Sequence, residues 1–398
     1  VSSPVAQPDS ANSQFVYLDH AATTPMRAAA VAAMMPFLSD QFANPSGSHR
    51  FSRLARRALD ESRDVVAGIV GCKPGEIVFT GCGSESDNMA ITGIVRRHGG
   101  MAVCSAAEHH AVLHCVEHLG GRTASVGADG VVDIEDLERV LREESSTNRV
   151  TSVAIMAVNN EVGSVTDLKA VSGVVRRLAP DAVLHTDAVQ AACWIDLRQI
   201  WPHVDTMALS AHKFGGPKGV GILVIREGVT IDPIILGGGQ ERDRRSGTHN
   251  LPGIVATAEA LRLTDQERSD EVARISDLRD RLFAALSKIE GALPTIPNGA
   301  AVPGVVHMCL RGIESEALLY LLDEAGVCAS AASACASGAM ELSHVLAAMG
   351  VDRERAMGAL RLSLGHTTTV EDVDRAAAAV SAAVERLRAL GSRSKAAS

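Results

Sequence analysis

Lys213 closes the run Ser210-Ala211-His212-Lys213, which follows an apolar stretch and leads into the glycine-rich turn Phe214–Gly219. A lysine at the carboxyl end of a strand, partly buried, loses basicity and becomes a nucleophile suited to Schiff-base chemistry. The chain has six lysines against 32 arginines, so few amines compete for such a role. Asp187, in His185–Gln190, ends a second apolar stretch. Taken singly, Lys213 reads as a surface lysine and Asp187 as a helix N-cap. Taken together, an aspartate for a pyridinium nitrogen beside a Schiff-base lysine is the arrangement that pyridoxal 5′-phosphate requires. A third strand end supplies Thr80–Asn88, where Gly83 and Ser84 place backbone amides and a hydroxyl at a helix N-terminus, a favourable seat for a phosphate. An ordinary capping turn looks the same, and the coincidence of three such strand ends gives this one its weight.

Two further residues stand out by their surroundings. Arg361 projects opposite the leucines in the alternating stretch Leu360–Leu364, and a guanidinium there can grip a carboxylate through two parallel hydrogen bonds. A solvent-facing arginine on an edge strand is the plainer alternative. Cys335 lies in Val327–Met340, a run of alanines, serines and glycine with almost nothing large enough to anchor it. Such a segment is expected to be mobile, and its thiol able to move between a pocket and an outside acceptor.

Two other patterns have rival readings. His110, His114 and His118 recur every four residues, with Cys104 and Cys115 nearby, but zinc would want a fourth ligand at a defined spacing and no HExxH is present, so a partly exposed stripe is expected. The segment Gly237–Thr248 mixes glycines with arginines, yet Glu241 and Asp243 balance them, so a phosphate or subunit contact suits it better than nucleic acid.

These residues need a frame. Short β-branched runs at 77–80, 102–105, 122–126, 150–158, 182–186, 206–210 and 220–225 alternate with helix-length segments, the pattern of a wound α/β sheet. Ligands of open α/β sheets bind outside the carboxyl ends of strands, so Asp187 and Lys213 are expected to face one crevice. After Leu251 the chain changes to long charged helices at 256–286 and 370–390, with strands at 305–310 and 359–364, which marks a second domain. In 398 residues, 46% hydrophobic and 21% charged, there is ample material for a core. A net charge of −9 argues against a general nucleic-acid binder. The absence of an 18-residue apolar run, and eight cysteines without framework spacing, argue against membrane insertion and secretion and for a cytoplasmic protein.

In order along the chain, Leu18–Pro25, Asn44–Ser46, Thr80–Asn88, Glu108-His109, Val158–Gly163, His185–Gln190, Ser210–Pro217, Gly237–Thr248, Ser333–Cys335 and Leu360–Ser363 resemble the pyridoxal-phosphate-dependent cysteine desulfurases, a class related to the aminotransferases. The resemblance covers about residues 16–390. It implies a fold-type I homodimer with a large cofactor domain (28–258) built on a mostly parallel sheet flanked by helices. A smaller α+β domain (14–27 and 259–391) would carry a mobile cysteine loop at 326–341, with disordered tails at 1–13 and 392–398.

By the same resemblance Lys213 would hold the cofactor, Asp187 would pair with its ring nitrogen, Gln190 would bond the phenolic oxygen, and His109 would lie over the ring. Phosphate would fall to Gly83, Ser84, Ser210 and His212, with Thr248 of the neighbouring subunit. Arg361 and Asn160 would take the substrate carboxylate. The implied activity is conversion of L-cysteine to L-alanine with sulfur left as a persulfide on Cys335, for delivery to an acceptor protein such as an iron–sulfur scaffold or a tRNA-thiolation enzyme. The alternatives are a selenocysteine lyase and a catalytically idle sulfur-transfer scaffold. The extended loop resembles the long-loop group. Departures from the family's usual residues are Ala332 and Cys82 where glycine is common, and Ser84, which keeps the hydroxyl of the usual threonine.

Overall fold

A computed structural model describes residues 15–147, 149–331 and 342–396. Cys335, Ala332 and the expected tail 1–13 lie outside the described residues. Twelve strands are found among those described: β1 (Val16–Tyr17), β2 (Ile77–Thr80), β3 (Met101–Ser105), β4 (Arg122–Ala124), β5 (Val150–Ala154), β6 (Val183–Asp187), β7 (Thr206–Ser210), β8 (Gly221–Ile225), β9 (Ala292–Pro294), β10 (Val305–Leu310), β11 (Val327–Cys328) and β12 (Ala359–Ser363). Four helices matter to the site: α1 (Ala28–Ser39), α2 (Arg50–Val70), α3 (Gly83–His98) and α4 (His110–His118).

Seven strands form one sheet in the order β2-β8-β7-β6-β5-β3-β4. From β7 to β4 every neighbouring pair is parallel, and β8 runs antiparallel to both its neighbours. Strands β2, β3, β5, β7 and β8 are buried along their whole length, as expected when helices cover both faces of a sheet. The mostly parallel sheet flanked by helices is thus the frame the α/β alternation requires. The paired register of β5 ends at Ala154, although Ile155 and Ala157 still donate to the carbonyls of His185 and Asp187 at 3.0 and 2.9 Å, and the chain turns at Asn159. Its side-chain oxygen accepts from the amides of Glu161 and Val162 at 2.9 and 3.0 Å.

A second, smaller sheet has the order β12-β10-β9, all antiparallel, and β1 pairs in parallel with β11. Around them Val16, Leu18, Ile275, Leu282, Leu322 and Leu362 form a separate apolar core. The helix Leu251–Leu286 is unbroken and serves both cores, with Ile254 and Leu261 in the first and Ile275 and Leu282 in the second. A division at 258/259 therefore falls inside one helix. Two expectations of looseness change. The last helix runs Val370–Ala396, through residues read as the start of a tail. Within the segment read as mobile, β11 is paired, and Ser330 exchanges two backbone hydrogen bonds with Arg361 at 2.7 and 3.2 Å. No helix among the described residues is long and apolar enough to cross a membrane.

Candidate active site

The carboxyl ends of the sheet strands open on one cleft of about 310 Å³. Strand β2 delivers the turn to Gly83 and Ser84, β6 delivers Asp187 and Gln190, and β7 delivers Ser210, His212 and Lys213. His109 arrives after β3, and Asn160 after the Asn159 turn. The opposite wall comes from the chain start, Ala21 and Ala22, and from Arg361 of β12. Ten residues expected around one ligand thus line one cavity. Thr248 does not line it and is exposed.

Lys213 Nζ donates to the carbonyl oxygens of Ala21 and Ala22 at 2.5 and 2.8 Å. Burial, then the positive charge of Arg361, brings its pKa down to about 8, against partial opposition from Asp187 and Asp19. Asp187 Oδ1 accepts from the Val189 amide at 2.8 Å, and burial, then the nearby Asp87, pushes its pKa up to about 7. A cation set against this carboxylate would favour its ionised form. Gln190 Nε2 donates to Ala21 O at 2.8 Å and keeps its second hydrogen.

At α3 the amides of Gly83 and Ser84 belong to the first helical turn, where no preceding carbonyl serves them. Cys82 is the N-cap, its sulfur accepting from the Glu85 amide at 3.4 Å. The thiol therefore fills a capping role that serine or aspartate fills more strongly. His109 caps α4: Nδ1 accepts from the Ala111 amide at 3.1 Å, so the neutral ring carries its hydrogen on Nε2. Burial, with Lys213, His110 and His344 adding to it and Asp187 opposing, holds His109 below the usual histidine range.

Arg361 is nearly buried and already held: Nη2 donates to Asp19 Oδ1 at 2.7 Å and Nη1 to Asn160 O at 2.9 Å. Its Nε and the side-chain oxygen of Asn160 are buried with no protein partner. Buried polar atoms without partners are uncommon and point to a missing ligand or water. The sequence alone assigns no role to Asp19, which orients the guanidinium, although it stands in the Leu18–Pro25 motif.

It also passed over a buried chain behind Asp187. His185 Nε2 lies 3.1 Å from Asp87 Oδ1, and His185 Nδ1 lies 2.9 Å from Thr206 Oγ1. Burial drives Asp87 up to about 8 and His185 down to about 4, each toward its uncharged form. The only signal was the placement of Asp87 and His185 inside motifs singled out for other residues.

The histidine stripe folds differently from a chelate. His110 and His114 stack with ring centroids 4.6 Å apart, and His344 lies 4.4 Å from His110. Among the described residues no group of three or more histidine, cysteine or acidic side chains is placed to hold a metal ion.

Comparison with known proteins turns this geometry into a family. The family model for class-V aminotransferases matches residues 16–376. Cysteine desulfurase IscS of Dictyoglomus turgidum is 39% identical over 384 residues, covering 94% of this chain and 96% of its own. The chain belongs to the class-V aminotransferases, among the pyridoxal-phosphate-dependent cysteine desulfurases. A NifS-like protein of known structure superposes with a TM-score of 0.86 at 34% identity, covering 93% of this chain and 99% of that one. Another solved relative, SspA in complex with cysteine, is 30% identical with a TM-score of 0.75, covering 87% and 98%. The family's cofactor fits the cleft on its own evidence: an amine of lowered basicity, a carboxylate three strands from a helix N-terminus, and the orphaned polar atoms of Arg361 and Asn160.

One neighbour of the phosphate turn was not anticipated. A Cβ on Gly221, the first residue of β8, would sit 2.4 Å from the carbonyl carbon and oxygen of Cys82 and 2.5 Å from Thr80 Oγ1. Gly221→Ala is expected to push this turn aside and weaken cofactor binding about tenfold or more, measured by absorbance titration of the apoprotein. Unchanged affinity would show that the turn can shift without cost to the phosphate.

Proposed function

We propose that the protein converts L-cysteine to L-alanine and leaves the sulfur as a persulfide on Cys335. The reading is carried by one observation: a lysine of lowered basicity and a guanidinium with a free, buried Nε face each other across one cleft. The balance is closed. L-cysteine and the Cys335 thiol give L-alanine and Cys335–S–SH, the C–S bond breaking as the S–S bond forms. Bound pyridoxal phosphate supplies an electron sink for the pair released at the substrate Cα.

Asp187 would hold the ring nitrogen, Gln190 the phenolic oxygen, and Gly83, Ser84, Ser210 and His212 the phosphate. Lys213 would bind the cofactor and then carry the Cα proton. Arg361 and Asn160 would seat the substrate carboxylate, with Asp19 keeping the guanidinium in place. His109 would lie against the substrate sulfur and manage the thiol proton through Nε2, the ring nitrogen not engaged by the Ala111 amide. The relative solved in complex with cysteine supports the substrate.

The active form would be a homodimer in which Thr248 of each chain completes the partner's phosphate site. Its exposure away from its own cleft suits that role, as does the exposed apolar surface of Met35, Leu38, Phe42 and Leu236. The persulfide would pass to a sulfur-acceptor protein in the cytoplasm.

Cofactor-loaded protein given L-cysteine and a reductant should release alanine and sulfide in equal amounts, and absence of alanine would refute the reading. Turnover of cysteine against selenocysteine separates the desulfurase from a selenium-specific lyase. Arg361→Ala removes a charge-assisted contact worth about 1.5–3 kcal/mol, so cysteine should bind about ten- to a hundredfold more weakly. Unchanged cysteine affinity would remove Arg361 from the site.

A further inference from the structure

Thr248 is exposed, yet its neighbours on both sides are fixed from within its own chain. Gln240 Oε1 accepts from the Gly247 amide, and Glu241 Oε1 lies on His249 Nε2, each at 2.8 Å. Glu241 in turn sits in the fork of Arg63 on α2, whose Nη1 and Nη2 donate to its two oxygens at 2.8 and 2.7 Å. The Phe79 amide also donates to Glu241, at 3.2 Å, and Arg63 Nη1 to Ile77 O at 2.6 Å. Both side chains are buried, 7% and 1% exposed.

The backbone they hold is unfavourable. Glu241, Arg242 and Asp243 have φ of 51°, 58° and 63°, three consecutive non-glycine residues in the left-handed region, where Cβ crowds the carbonyl. Such a turn persists only where its surroundings impose it. Beside it lies a cavity of about 340 Å³ lined by Arg56, Arg63, Glu241, Arg242 and His249 among others, which gives the turn room to relax once the fork is lost. A separate anchor, Arg245 to Glu85 at 2.7 Å, ties the same segment to α3 without using Arg63.

We propose that Arg63 is a positioning residue for the partner subunit's cofactor: through Glu241 and His249 it sets the turn that presents Thr248 to the phosphate bound by the second copy. This rests on the reading that Thr248 acts across the dimer. A lysine at position 63 keeps the charge but loses the planar fork, so the turn loses its imposed geometry.

The test is cofactor trapped by borohydride per dimer, against cofactor concentration, in dimers assembled from differently tagged chains. Arg63→Lys homodimers should need at least tenfold more cofactor than the wild type. Pairing an Arg63→Lys chain with a Lys213→Ala chain should restore one trapped cofactor per dimer at wild-type affinity, because the intact lysine then meets a Thr248 whose own chain keeps Arg63. That recovery also shows that the Arg63→Lys chain is folded. Wild-type affinity in the Arg63→Lys homodimer, or no recovery on pairing, overturns the inference. Thr248→Ala paired with Lys213→Ala is the control: it should recover in the same way, and its failure would overturn the cross-dimer reading itself.

Discussion

Lys213→Ala should fold, should not be labelled when cofactor is added and reduced with borohydride, and should make alanine at least about a thousandfold more slowly than the wild type. The size of the loss follows from two duties falling on one amine, cofactor attachment and carriage of the Cα proton. Peptide mapping of the wild type should put the pyridoxyl label on Lys213. A label on Lys218, which is exposed and lines no part of the cleft, would overturn the assignment. The pH dependence is equally specific. An ammonium group cannot attack a carbonyl, so cofactor capture by the apoprotein should rise with pH through a midpoint near 8, the value to which burial and Arg361 bring Lys213. An amine in open water would keep gaining about tenfold per pH unit until far above this. A capture rate still climbing steeply beyond about pH 9.5 would place Lys213 in solvent.

Cys335→Ser should separate binding from sulfur transfer. Among the described residues, the amine, the carboxylate and the helix N-terminus that line the cleft are all placed by the large sheet, so cofactor and cysteine should bind with near wild-type affinity. A serine hydroxyl is scarcely ionised at neutral pH and cannot replace a thiolate attacking sulfur, so alanine and persulfide formation should fall about a thousandfold or more. Cys328 is the competing thiol. It is held in β11 opposite Tyr17, with its carbonyl accepting from the Leu18 amide at 2.9 Å, and burial raises its pKa above the usual thiol value. It is half-buried rather than sealed in the core. Cys328→Ser should keep most activity. Alanine formation at the wild-type rate by Cys335→Ser, or an extra sulfur found by mass spectrometry on Cys328 after one turnover, would reverse the assignment.

What could be read from sequence was what local pattern controls. The apolar runs place β2, β6 and β7 within a residue or two, and the groups at their ends, Gly83, Asp187 and Lys213, meet because parallel strands share one carboxyl edge. What could not be read depends on distant approach. Asp19 gains its meaning only when it meets Arg361, 342 positions away, and Asp87 only when it meets His185. Gly221 reads as an ordinary strand residue until the backbone of Cys82 is laid against it. The strands β1, β9 and β11 are two or three residues long, too short for alternation to register.

The clasp of Ala21 and Ala22 on Lys213 has a consequence for how the chain matures. Lys213 and its two carbonyl partners are 191 and 192 residues apart, and Asp19 meets Arg361 across 342. Closing such long loops costs entropy that local helices and neighbouring strands do not incur, so these contacts come late in folding. On a ribosome residues 19–22 leave the tunnel well ahead of their partners, Lys213 following 191 residues after Ala22 and Arg361 following 342 after Asp19. A nascent protein of this design acquires its helices and much of its sheet while still blind to its cofactor.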